Sequence, residues 1–133
     1  MIHWGDMTDS QTILLVEDEA IMRDALKGAL ETAGFTVIPA EDGEQGLKAA
    51  LESHPALILS DLQMPKMGGL EMIRQIRADA WGKTSKIIIL TNISDVTALE
   101  AAMAEGTFHY LVKSDASMEE VVAKVKSRLS EVV

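Results

Sequence analysis

The sequence predicts a doubly wound α/β fold, a five-stranded parallel sheet with helices on both faces. Three observations predict it. Five short apolar runs alternate with five segments of helical spacing, the strand–helix repetition that builds a parallel sheet. The runs Ile13–Val16, Leu57–Leu59 and Ile87–Leu90 are apolar throughout, as strands buried on both faces are. The remaining two, Phe35–Ile38 and Phe108–Val112, carry Thr36, His109 and Tyr110, a mixture that suits the sheet edges.

The first strand spans Thr12–Val16. From Ala20 the residues Met22, Ala25, Leu26, Ala29, Leu30 and Ala33 form a stripe along one helical face. Gly34 follows, where a helix end needs left-handed geometry. After the second strand, Asp42 caps the second helix with Gln45 three residues on, and Pro55 forbids its extension. The third strand is Ala56–Leu59, and the third helix runs from about Gly69 to Asp79. The fourth strand is Lys86–Leu90, followed by a helix from Ser94 or Asp95 that stops at Gly106. In the fifth helix Ser117 and Glu120 make a capping box, and Met118, Val121, Val122, Val125 and Leu129 line one face. Right-handed crossovers with the mixed strands outside give the order 2-1-3-4-5, the flavodoxin-like (βα)5 arrangement.

The 133 residues suit one domain, 11–133, preceded by a loose leader, 1–10, in which Met7 is an alternative start. The absence of cysteine excludes disulfides and thiolate metal sites and agrees with a cytoplasmic setting. No apolar run reaches the ~20 residues a membrane span needs. The net charge of −9 opposes nucleic-acid phosphates, so neither membrane nor nucleic acid is an expected partner. His3, His54 and His109 do not cluster, and the methionines fall mostly in helix patterns as core filler.

Ligands of such sheets bind at the carboxyl ends of the strands, near the point where strand order reverses. Glu17 and Asp18 follow strand 1, Asp61 follows strand 3, Thr91 follows strand 4 and Lys113 follows strand 5. Crowded carboxylates repel unless a proton or cation neutralises them. Hard oxygen ligands favour Mg2+, with Mn2+ the other candidate, and Mg2+ commonly keeps a place for a substrate phosphate. A metal and Lys113 would offset the charge of an incoming phosphoryl group, which Asp61 could accept as an acyl phosphate.

These residues carry a resemblance. Leu14-Leu15-Val16-Glu17-Asp18-Glu19, Leu59-Ser60-Asp61-Leu62-Gln63-Met64-Pro65-Lys66-Met67-Gly68-Gly69, Leu90-Thr91 and Tyr110-Leu111-Val112-Lys113 resemble the motifs of response-regulator receiver domains of two-component systems and phosphorelays, in order, from about Thr12 to Leu129. The resemblance implies that Asp61 is the phosphoacceptor. It implies that Glu17, Asp18, Asp61 and the Gln63 carbonyl hold Mg2+, that Lys113 pairs with the phosphoryl group, and that Thr91 and Tyr110 switch. Gln63 and Ile93 fall where the family tunes the lifetime of the phosphorylated state. The implied donor is a phosphohistidine on a sensor histidine kinase or histidine phosphotransfer protein, docking near Ala20 to Leu26. The implied output is the surface of helix 4, strand 5 and helix 5, read by a downstream protein target. Such a chain is no enzyme beyond its own phosphorylation and dephosphorylation. Without a fused output domain a stand-alone relay or an allosteric binder is expected rather than a transcription factor, with homodimerisation through helices 4 and 5 left open.

Three residues depart from the family pattern. Ser114 replaces the usual proline after the lysine, so either a trans bond with a reshaped loop or a strained cis bond is expected there. Asn92 stands where a small residue is usual and is expected to narrow access to Asp61. Gly68-Gly69 replaces a common Asp-Gly, with an effect expected only at the start of helix 3. The alternative function is a pseudo-receiver, an interaction module independent of phosphorylation. A hydrolase with an aspartyl nucleophile lacks a second acid/base carboxylate beside Asp61. A flavin carrier lacks a phosphate cradle after strand 1.

Overall fold

Strand β1 (Thr12–Val16) stands near the middle of a parallel sheet ordered β2-β1-β3-β4-β5, with β2 Thr36–Ala40, β3 Leu57–Ser60, β4 Ile87–Thr91 and β5 His109–Val112. This is the expected order in a computed structural model that describes residues 11–92, 96–106 and 109–131. The leader 1–10, Ile93, the proposed helix starts Ser94 and Asp95, and Phe108 lie outside the described residues. Helices α1 (Ala20–Thr32), α2 (Gly43–Ser53), α3 (Gly69–Ala78), α4 (Val96–Ala104) and α5 (Met118–Ser130) follow the strands, with one 3-10 turn at Gly82–Thr84 before β4.

Apolar strands sort their side chains onto two faces because successive residues point opposite ways. Leu14, Val16, Ile58, Ile87 and Ile89 pack with Ala50, Met72, Ile73, Ile76, Leu99 and Ala102 of α2, α3 and α4. Ile13, Leu15, Leu57, Leu59, Ile88 and Leu90 pack with Leu26, Leu30, Val121 and Val125 of α1 and α5. The helix ends follow the sequence cues. Asp42 accepts a hydrogen bond from the Gln45 N–H at 2.9 Å, and Ser117 with Glu120 forms the full capping box. Gly34, at φ 102°, turns the chain out of α1. Ala25, assigned to the apolar stripe of α1, is exposed and lies off its buried face.

Two strands run further than their apolar residues indicate. β2 continues through Pro39, paired with Leu15, because an edge strand needs no outward N–H. β4 includes Thr91, which pairs with Val112 and carries its hydroxyl on a strand end rather than on a loop. The Lys113–Ser114 peptide bond is trans, which removes the cis alternative, and the chain turns there through hydrogen bonds from the Asp115 and Ala116 N–H groups to the Val112 carbonyl, each 3.0 Å. Among the described residues no helix is long and apolar enough to cross a membrane.

Ile58 is fully buried at the centre of the sheet. Ile58→Ala is expected to lower the unfolding free energy by about 2–5 kcal/mol, from lost burial and an unfilled cavity. Urea denaturation with an unchanged slope and a lower midpoint checks this.

Candidate functional site

The sheet ladders extend one residue past their strands and so fix three backbone positions. The Glu17 N–H donates to the Ala40 carbonyl at 3.0 Å, the Asp61 N–H to Val16 at 3.1 Å, and the Lys113 N–H to Thr91 at 2.8 Å. All three side chains therefore leave the same edge of the sheet, where its order reverses.

There they meet. The Lys113 ammonium lies 2.6 Å from Glu17 Oε1 and 2.8 Å from Asp61 Oδ2, and only 5% of its side-chain surface is exposed. Asp61 Oδ1 accepts the Leu62 N–H at 2.7 Å and the Gln63 N–H at 3.4 Å, so both carboxylate oxygens are held. Glu17 Oε2 accepts the Glu19 N–H at 3.1 Å. Asp18 is exposed, yet it offers a carboxylate oxygen to a group with Glu17 and Asp61 whose members all lie within 4.8 Å of one another. Thr91 is buried beside this edge, whereas Gln63 is exposed and Tyr110, at 40% exposure, faces outward.

Burial is the largest influence on Glu17 and raises its pKa, against the hydrogen bonds from Lys113 and the Glu19 N–H that favour the carboxylate. Burial also opposes the charge of Lys113, but hydrogen bonds to Asp61 and Glu17 outweigh it and raise the lysine's pKa. Lys113 thus stays an ammonium at neutral pH, one positive charge against three clustered carboxylates. Three hard oxygen donors with excess negative charge fit a divalent cation such as Mg2+.

Several contributors escaped the sequence reading. Arg23 donates from Nη1 to the carbonyls of Glu17 at 2.8 Å and Asp18 at 3.4 Å, and its guanidinium lies 3.7 Å from Glu41. It pins the β1–α1 turn to the loop before α2. Glu19 reaches Lys113 at 3.4 Å from the start of α1. Glycine serves the loop after Asp61. A Cβ on Gly69 would collide with the Asp61 carbonyl oxygen, and one on Gly43 with that of Met67, whose oxygen accepts the Gly43 N–H at 2.8 Å. Gly69 therefore lets α3 abut Asp61, beyond the helix-start effect expected of the pair, whereas Gly68 is the N-cap. Arg23 reaches backbone carbonyls five and six residues earlier, outside the helix, and the close approaches of the glycines are tertiary, so none of these contacts leaves a local sequence pattern.

The sequence profile described as the response regulator receiver domain matches residues 13–126. The chain belongs to this family. The receiver is 38% identical over 124 residues to the transcriptional regulatory protein ResD of Bacillus subtilis strain 168, covering 93% of this chain and 50% of that protein. It is 34% identical over 122 residues to the DNA-binding response regulator MtrA of Mycobacterium tuberculosis strain H37Rv, covering 92% and 52%. The chain spans about half the length of the curated relatives it matches. Among solved structures, the receiver superposes on the chemotaxis response regulator CheY4 of Vibrio cholerae with a TM-score of 0.83 at 27% identity, covering 90% of this chain and 99% of that one. It superposes on the receiver domain of sensor histidine kinase PA1611 of Pseudomonas aeruginosa PAO1, described with a magnesium ion in the active site cleft, with a TM-score of 0.84 at 28% identity, covering 92% and 100%. Receivers are signalling modules of two-component systems, and response regulators interact with histidine kinases.

The raised pKa of Glu17 fixes the sign of a pH effect. A carboxyl with a folded pKa above its ordinary 4.5 loses stability as pH rises through that interval. Glu17→Gln is expected to unfold at a higher temperature than the wild type at pH 7 without divalent metal. The gain should shrink as pH falls toward 4.5; paired calorimetric scans across this range check it.

Proposed function

We propose that this receiver is a phosphorylation switch in which Asp61 takes a phosphoryl group from a phosphohistidine. The observation that supports it most is the seating of Asp61: Oδ2 on the Lys113 ammonium at 2.8 Å, Oδ1 on two backbone N–H groups, inside a cluster of three carboxylates. An aspartate so restrained is oriented for attack, and its surroundings call for a cation.

In the proposed step an Asp61 carboxylate oxygen forms a bond to phosphorus as the bond from phosphorus to the donor nitrogen breaks, and the electron pair leaves with the imidazole. Glu17, Asp18, Asp61 and the backbone carbonyl of Gln63 would hold Mg2+, the ion described in the cleft of the Pseudomonas receiver. When bound, the ion supplies Lewis-acid neutralisation of phosphoryl oxygens. Lys113, already within hydrogen-bond reach of Asp61, pairs with the transferred group. Thr91 donates its hydroxyl to a phosphoryl oxygen, and Tyr110, which faces outward in this structure, turns inward. The face of α4, β5 and α5 then carries the signal to a downstream protein. The setting proposed for the receiver is cytoplasmic. DNA contact is no part of its proposed role, because its own net charge is −9; the DNA-binding description belongs to the longer relatives.

The competing reading is a pseudo-receiver. Ser114 and the exposed Asn92 favour it, the held carboxylate and ammonium do not. The intact mass after incubation with acetyl phosphate and Mg2+ separates the two. A gain of one phosphoryl group, absent in Asp61→Ala and with a chelator, is expected. An unmodified wild type that also fails to bind beryllofluoride would establish the pseudo-receiver. Asn92→Ala is expected to be phosphorylated faster than the wild type by this small donor; a rate no faster would remove Asn92 as a restriction.

A further inference from the structure

Glu19 occupies the N-cap position of α1 without serving as a cap: its side chain makes no capping hydrogen bond. Its carboxylate turns instead across the sheet edge to Lys113, 94 positions away in sequence, with Oε1 3.4 Å from Nζ. Lys113 already holds Glu17 and Asp61 at shorter range, so Glu19 is not needed to neutralise it. Glu19 is 64% exposed where Glu17 is 1% and Asp61 10%. It is the most exposed of the three carboxylates contacting Lys113, whose ammonium lies 2.8 Å from Asp61 Oδ2.

We propose that Glu19 is a gate charge that selects the donor. It repels small free anionic phosphodonors and strengthens the site's attraction for a divalent cation. It thereby disfavours transfer from a donor in proportion to that donor's negative charge. The inference rests on the phosphoacceptor reading of Asp61. Glu19 takes no part in bond making: in transfer from acetyl phosphate an Asp61 oxygen bonds to phosphorus, the acetyl oxygen–phosphorus bond breaks, and acetate leaves with the electron pair. Glu19 acts through charge at a distance on the approach of the donor.

Such an effect has a signature that a structural role lacks. It scales with donor charge and fades as salt shortens the screening length to roughly 3 Å at about 1 M. The test compares the wild type, Glu19→Gln and Glu19→Asp, with acetyl phosphate (a dianion) and phosphoramidate (a monoanion) as donors. Mg2+ binding is measured separately by calorimetry without any donor. At about 0.01 M ionic strength, Glu19→Gln is expected to react roughly two- to five-fold faster with acetyl phosphate, with a smaller gain for phosphoramidate. It should bind Mg2+ roughly two- to three-fold more weakly. Both differences should collapse at about 1 M salt, and Glu19→Asp should keep the wild-type behaviour. Equal gains with both donors, gains that survive high salt, or unchanged Mg2+ affinity would overturn the gate. A wild type that binds Mg2+ but takes no phosphoryl group from either donor and fails to bind beryllofluoride would overturn the phosphoacceptor reading, and with it donor selection, while the Mg2+ titration would still judge the charge of Glu19.

Discussion

The Lys113 ammonium, wedged between Glu17 and Asp61, is the interaction on which this architecture depends. Two carboxylates directly follow strands built mostly of buried apolar residues. Without a counter-charge each would face loss of water and mutual repulsion. Lys113 answers both, and it can do so only because β1, β3 and β5 end at one edge of the sheet. The ladder bonds that run one residue past the strands convert sheet register into side-chain position. The apolar core and the charged site are thus one construction: the side chains that lock the strands together also fix how closely Lys113 approaches Asp61.

Around this centre the loops are held by backbone approach more than by side-chain burial. The segment from Leu62 to Gly68 lies between the N-termini of α2 and α3. Gly43 and Gly69 allow contacts there that any Cβ would forbid. Lys66, left-handed at φ 64°, reaches within 3.8 Å of the buried Asp42, itself the cap of α2. Arg23 ties the opposite loop to Glu41. The loop carrying the Gln63 carbonyl is therefore constrained from two helices, and so is the position of any ligand that carbonyl makes.

Strand order was legible because it follows from composition: Ile13–Val16, Leu57–Leu59 and Ile87–Leu90 are apolar on both faces, and the mixed strands lie outside. The cluster was legible for a related reason, since Glu17, Asp61 and Lys113 each directly follow a strand. The apolar run Phe35–Ile38 stops short of the full β2, which continues through Pro39 because a proline disrupts a central strand but not an edge. Glu19 and Arg23 were hidden for another reason. A charged residue in the first turns of a surface helix has an ordinary solvated explanation, and only the tertiary path back to Lys113 or to the Glu17 carbonyl distinguishes these two. Gly69 looked like part of a helix start because the collision it avoids involves Asp61, eight residues earlier.

The charge balance of the site ties its parts to one another. Glu17, Asp18, Asp61 and Glu19 gather about a single ammonium, so the cluster is short of positive charge and a divalent cation relieves it. On the phosphoacceptor reading, a phosphoryl group on Asp61 converts the Oδ2 contact into a competition for the same ammonium between new phosphoryl oxygens, Glu17 and Glu19. Lys113 cannot respond alone. Its N–H is bonded to the Thr91 carbonyl, and its chain continues directly from β5, which carries Tyr110. A hydrogen-bonded route from Asp61 to the end of β4 runs through this lysine. The residue that makes the buried carboxylates tolerable is therefore also placed to transmit a change in their charge.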